Sequence, residues 1–151
     1  MNPNTRKSIG LATILVSVLS FGAGALIGSQ DNKVYAAMEP PTEHKGISLS
    51  PLGVVPESSL AATIGLNGYI MQLREITLQP GGQIARHSHA TRPGLVLTLA
   101  GSWTEGRASG ERDYPAGEKI AIVEDETTEH WFWNRESEPV KVVVCDLVPP
   151  S

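Results

Sequence analysis

The chain has almost no cysteine. Cys145 is the only one in 151 residues, which excludes an intramolecular disulfide framework. Its setting in the apolar run 142–147 makes a buried strand thiol the expected state. No Gly-x-Ser-x-Gly occurs, and no glycine-rich phosphate loop opens a helix, so nucleophilic hydrolysis and phosphate cradling find no support. Clustered positive charge is also missing. The 12 basic residues are scattered among 16 acidic ones, and the three Trp and three Tyr are not interleaved with bases, which argues against a nucleic-acid partner. Helical periodicity is scarce as well. The length leaves room for one domain and a tail.

Charge is wholly absent from residues 9–27, and Arg6 and Lys7 precede that stretch with no acid near them. This pattern reads as a secretory signal or a membrane anchor over residues 1–36. Small side chains around residues 34–36 suit cleavage after Ala36, while Gly22, Gly24 and Gly28 weaken a spanning helix. Either way the two basic residues hold the N-terminus in the cytoplasm. The domain is therefore expected outside it, in the periplasm or extracellular space, released or membrane-attached. Without residues 1–36 the chain loses Arg6, Lys7 and Lys33 but only Asp31, and becomes more acidic than its whole-chain net charge of −4.

What remains reads as short strands punctuated by Gly and Pro. Residues 37–46 are expected as an extended linker with a solvated His44, and residues 47–151 as the domain. Residues 47–50 alternate like an edge strand that Pro51 limits. Residues 56–62 form a helical turn or a loop. A long strand follows over residues 69–78, and Pro80-Gly81-Gly82 turns out of it. Strands are expected over 95–100, 102–107, 119–123, 130–134 and 140–148, with 124–129 as an acidic loop. This is an all-β sandwich or barrel.

The stretch 82–101 carries the chemistry. His87 and His89 are two apart, so on a strand both imidazoles point to one face and can reach one ion. Gly82-x4-His87-x-His89-x4-Gly94-x6-Gly101 resembles the first motif of the cupin superfamily, and His130-x3-Asn134 resembles the end of the second. Gly94 stands where that family has a metal-binding Glu, and Asp125-Glu126-Thr127 stands where it has Pro-x-Gly. The resemblance covers about residues 69–147. It implies a small double-stranded β-helix, the jelly-roll cupin barrel, and a homodimer formed through edge strands.

It also implies that His130 joins His87 and His89, the inward faces of two strands meeting in a small barrel. Three neutral imidazoles would hold a divalent transition metal (Fe, Mn, Ni, Cu, Co or Zn) and leave coordination positions open. Glu105 restores a carboxylate as a fourth ligand if its strand faces inward. Glu124 and Glu129 are the other carboxylates near enough, Glu129 pointing away from His130. For all three a solvated surface position is the ordinary expectation. Gly94 leaves space beside the ion for substrate or water, and Arg92 at the barrel mouth offers a carboxylate-docking fork. Trp131 and Trp133 share the face opposite His130 and Phe132, where packing is the expected role. Asn134 is expected to fix a turn. Two functions follow. One is a metal-dependent oxygenase or isomerase of a small organic molecule, as the three-histidine cupins include thiol and gentisate-type dioxygenases. The other is a cupin that binds a small molecule or metal without turnover.

Overall fold

The computed structural model describes residues 39–150. The uncharged segment 9–27 and the cleavage position after Ala36 lie outside the described residues. Eight strands run in chain order: β1 (Lys45–Val55), β2 (Ile70–Ser88), β3 (Gly94–Ala100), β4 (Ser102–Arg107), β5 (Gly110–Pro115), β6 (Ile122–Glu124), β7 (Glu129–Trp133) and β8 (Val140–Val148). One helix, α1 (Glu57–Ile64), follows β1. It ends on Gly65 at φ 73°, whose amide reaches back to the carbonyls of Leu60 and Ala61, a left-handed stop that favours glycine.

The strands form one antiparallel sheet in the order β5-β4-β7-β2-β8-β3-β6, with β1 paired to β2. The sheet curls over because β2 changes partners along its length. Residues 70–78 pair with β8, and residues 83–88 pair with β7. The turn expected at Pro80-Gly81-Gly82 is instead a corner inside this 19-residue strand. Gly81 takes φ 67°, and the Gly81 amide donates to Asn134 O while the Asn134 amide donates to Gly82 O, both at 3.0 Å. The ladder is thus handed to β7 without a gap. A Cβ on Gly82 would lie 2.7 Å from Gln79 O and 2.9 Å from Lys45 O, so the corner has room only for glycine. Asn134 secures it from the far side, as expected of a turn-fixing residue. Its amide donates to Leu78 O and Glu138 O, and its carbonyl accepts from Glu136 N.

The corner makes two half-sheets face each other over the core. Ile76, Leu78, Val96, Ile122, Val142 and Val144 come from one half. Ile84, Trp103, Tyr114 and Phe132 come from the other. Trp103 and Phe132 stack at 3.9 Å between ring centroids, which adds to the apolar burial. This curled antiparallel sheet is the expected jelly roll.

Other boundaries also differ from the sequence reading, and β5 was not expected as a strand. β1 passes through Pro51 to Val55, with a register shift between Pro51 and Gly53. An edge strand tolerates a missing amide there. Residues 39–44 are not free of the domain: Pro41 O accepts from Arg86 N and His44 Nδ1 accepts from Ala85 N. β6 starts only at Ile122, because Lys119 takes φ 54° after the 3-10 turn Ala116–Glu118. It ends at Glu124, so the acidic loop loses its first residue to the sheet.

On the outer side of β7 both tryptophans are buried, meeting edge-to-face at 6.2 Å, and Arg135 lies over Trp133 at 4.5 Å. Gly106 of β4 pairs with Trp131, and a Cβ there would overlap the Trp131 indole. Cys145 is free and half-buried rather than buried. Gly106→Ala should therefore lower the unfolding free energy by about 1–3 kcal/mol, the usual range for overpacking. Gly53→Ala, which meets nothing within 4 Å, should change it by less than about 0.5 kcal/mol. Urea denaturation of both variants measures the difference.

Candidate metal centre

Alternation along β2 does not by itself aim His87 inward. Ile84 pairs with Phe132 and His87 with His130, so Ala85 and Arg86 together face the single residue Trp131. Two residues against one is a β-bulge. It resets the alternation, so Ile84 and His87 both project into the barrel although three positions separate them. The amides that the bulge turns away from β7 are those taken by His44 and Pro41. His89 lies just beyond β2, its amide bonded to Thr128 O at 2.9 Å. Asp125 shapes that partner loop by accepting from Thr127 N, Thr127 Oγ1 and Thr128 Oγ1. The Asp125-Glu126-Thr127 stretch thus closes a tight turn that steadies His89.

The three histidines meet. Ring centroids of His87, His89 and His130 are 4.7–4.9 Å apart, and one nitrogen from each lies within 4.8 Å of the other two. His89 and His130 are fully buried and His87 partly so. Every Nδ1 has an acceptor: Ala85 O for His87 at 2.8 Å, Arg92 O for His89 at 2.8 Å, and Glu105 Oε1 for His130 at 2.6 Å. In the neutral rings each Nδ1 therefore carries the hydrogen, and each Nε2 presents a lone pair. His89 Nε2 and His130 Nε2 then face each other at 3.0 Å with no proton between them. Two lone pairs at that distance repel unless a cation sits beside both, so the donor set fits a metal ion, with the Nδ1 acceptors serving as its outer support.

Burial pushes the His87 and His89 imidazoles down to about 4, overcoming the opposite pull of their backbone hydrogen bonds. Both rings are neutral at neutral pH.

Glu105 and Glu124 are buried, contrary to the solvated positions expected of them, and Glu129 is exposed, paired with Arg86 at 2.6 Å. Glu105 accepts from His130 Nδ1, from Arg107 Nε at 2.7 Å and from the Tyr114 hydroxyl at 3.1 Å. Burial alone would raise its carboxyl, but the His130 and Arg107 bonds outweigh that and hold it below the usual range. It stands behind His130, on the Nδ1 side of the ring.

Glu124 has a different setting. Its Oε1 lies 3.5 Å from His130 Nε2 and its Oε2 lies 3.3 Å from His89 Nδ1. Oε2 has no hydrogen-bond partner. Burial pushes the carboxyl up to about 7, with Asp146 and Glu105 adding to the rise and Arg92 and Arg74 opposing it. Gly94 pairs with Glu124 across β3 and β6. A Cβ on Gly94 would lie 2.8 Å from Glu124 Oε2. The space expected at Gly94 for substrate or water is occupied by that carboxylate.

A cavity of about 250 Å³ opens beside the imidazoles. His87, His89, Glu124, Arg92 and Arg74 line it, with Trp103 and Phe132 among its apolar walls. Arg92 is about one-third exposed, and its Nε lies 3.7 Å from the buried Asp146, to which Arg74 donates at 2.9 Å. Nε of both arginines lacks a hydrogen-bond partner. Arg74 and Asp146 escaped the sequence reading, although the signal was present: each continues the inward alternation of its strand, Arg74 with Ile76 and Leu78, Asp146 with Val142 and Val144. His44, expected to be solvated, stays exposed yet borders the cavity.

These groups make the metal-free protein sensitive to acid. Two imidazoles with lowered values resist protonation in the fold, so their stability contribution is lost as pH falls from about 6.5 towards about 4. Glu124, raised to about 7, acts in the opposite sense, losing stability as pH rises from 4.5 towards 7. At pH 5.5 unfolding should take up a net of about one proton from the three groups, two gained by the histidines and one released by Glu124. Glu124→Gln should raise that uptake to about two. The pH dependence of urea unfolding of chelated protein measures it.

No protein-family model and no curated protein matches the sequence. Solved structures do match in fold. A predicted oxalate decarboxylase from Thermotoga maritima superposes with a TM-score of 0.53 at 12% identity, over 74% of this chain and 95% of that one. The Cnp3 cupin domain of Schizosaccharomyces pombe gives 0.53 at 8% identity, over 70% and 67%. KdgF from a Halomonas species gives 0.51 at 13% identity, over 72% and 87%. Identities this low speak to architecture and not to reaction. Together with the curled eight-stranded sheet they establish that the described residues have the cupin fold.

Proposed function

We propose that this protein is a metal-dependent enzyme that isomerises or oxygenates a small organic molecule bound in the cavity beside His87, His89 and His130. The observation that carries the reading is the convergence of three imidazoles, each with Nδ1 engaged, beside an open cavity that His87 and His89 line. A structural histidine cluster would bond its nitrogens to protein on both sides of each ring, whereas here the inner nitrogens of His89 and His130 face each other at 3.0 Å, with Glu124 Oε1 3.5 Å from the His130 one. When bound, a divalent transition metal would supply Lewis acidity toward substrate oxygens, with coordination positions left for them.

The chain's own residues divide the remaining work. Glu105 fixes the plane and tautomer of His130. Ala85 O and Arg92 O do the same for His87 and His89. Arg92 and Arg74 line the cavity and bring positive charge to it, which suits a carboxylate on the bound molecule. Trp103 and Phe132 give its body an apolar surface and keep bulk water out. The charge-free residues 9–27 behind Arg6 and Lys7 support an exported site of action.

Metal analysis of the purified full chain tests the reading. About one equivalent of transition metal is expected in wild type and almost none in His87→Ala or His130→Ala. A folded wild type that takes up no metal from any supply would sink it. If metal binds, small organic acids that perturb the centre but show neither oxygen consumption nor conversion by NMR would favour the cupin that binds without turnover.

A further inference from the structure

We infer that Glu124 is a fourth and anionic ligand of the centre, delivered from β6 through a notch that Gly94 leaves in β3. This rests on the reading of the three histidines as a metal centre. Four observations meet at this residue. Glu124 is 4% exposed, and a buried carboxylate oxygen without a partner is costly unless something at the site completes it. Oε2 is such an atom. Oε1 lies 3.5 Å from His130 Nε2, on the lone-pair side of that ring. The carboxylate also borders the cavity that His87 and His89 line.

The fourth observation is the register. Gly94 and Glu124 are direct partners, and their neighbours Val96 and Ile122 are partners too. Val96 and Ile122 are core residues, so positions 94 and 124 also aim inward, where two side chains would contend for one volume. A Cβ at 94 would approach Glu124 Oε2 to 2.8 Å, Asp146 Cβ to 2.9 Å and Cys145 O to 3.1 Å. Glycine at 94 is what admits the carboxylate. Its φ is not in the left-handed region, so backbone conformation does not explain the choice, whereas the volume does.

Glu105 has a different place. Its oxygens are spent on His130 Nδ1, Arg107 and Tyr114, all on the outer side of the ring. It is a positioning residue.

The two carboxylates can be told apart by ion selectivity. A carboxylate ligand favours harder ions such as Mn²⁺ relative to Cu²⁺, which imidazole alone holds well. Dissociation constants of Mn²⁺ and Cu²⁺ would be measured by chelator competition on the full chain, for wild type, Glu124→Gln, Glu124→Ala and Glu105→Gln, with folding checked by circular dichroism. Both Glu124 variants should lose Mn²⁺ affinity by about 100-fold or more while Cu²⁺ affinity changes by less than about tenfold. Glu105→Gln should weaken both ions alike, within the roughly 10–100-fold range of an outer hydrogen-bond partner. Unchanged Mn²⁺ affinity in a folded Glu124 variant overturns the inference, and so does a parallel loss of both ions. A wild type that binds neither ion removes the three-histidine reading itself, and this inference with it.

Discussion

The pairing of β2 with β7 is the constraint on which the site rests, and within it the two residues that face one. Without Ala85 and Arg86 opposite Trp131, period-two alternation from Ile84 would turn His87 outward and bring Arg86 into the apolar core. A one-residue slip changes the face of every side chain beyond it. The bulge therefore takes a strand that is apolar inside at Ile76, Leu78 and Ile84 and makes it polar inside at its end. Ala85 has a second part in this, since its carbonyl accepts from His87 Nδ1. The residue that displaces the ring also fixes its tautomer.

Electrostatically the barrel end is built from compensations. The His87 and His89 imidazoles avoid mutual repulsion by staying uncharged, because burial holds both rings well below their ordinary values. The two buried glutamates are treated oppositely. Glu105 is ionised by Arg107 and His130, so a fixed negative charge backs the His130 ring. Glu124 is surrounded by other acids and apolar walls and holds its proton more readily. Arg74 and Arg92 lean on Asp146 from the cavity side. One buried anion shared by two cations leaves positive potential facing the cavity, a suitable field for an anionic guest.

Most of the architecture was legible because short strands with Gly and Pro between them carry a strong local signal. His87, His89 and His130 could be picked out by spacing and by likeness to a motif. Other features were set by pairing between distant segments, which a single sequence does not display. Pro80-Gly81-Gly82 looks like a turn until Asn134 is seen to carry the ladder across it. Glu124 looks like the start of a solvated loop, since its inward aim depends on Gly94 lying beside it. Glycine at 94 reads as vacancy in one dimension and as accommodation in three. Arg74 and Asp146 were visible in principle, as charged residues on apolar faces, but alternation alone does not say whether such a face ends inside the barrel or beyond its rim.

The bulge has one more dependence. Its two diverted amides, on Ala85 and Arg86, find their acceptors in His44 and Pro41, a few residues beyond the point where a leader cut after Ala36 would leave the chain. The segment before β1 is thus coupled to the geometry of the histidines. A cut after Ala36 would keep both acceptors. One placed just before Lys45 would spare every strand and still strand two amide donors beside His87. The segment from Pro41 to His44 is in this sense an integral part of the site, tied by its hydrogen bonds to the strand that presents His87.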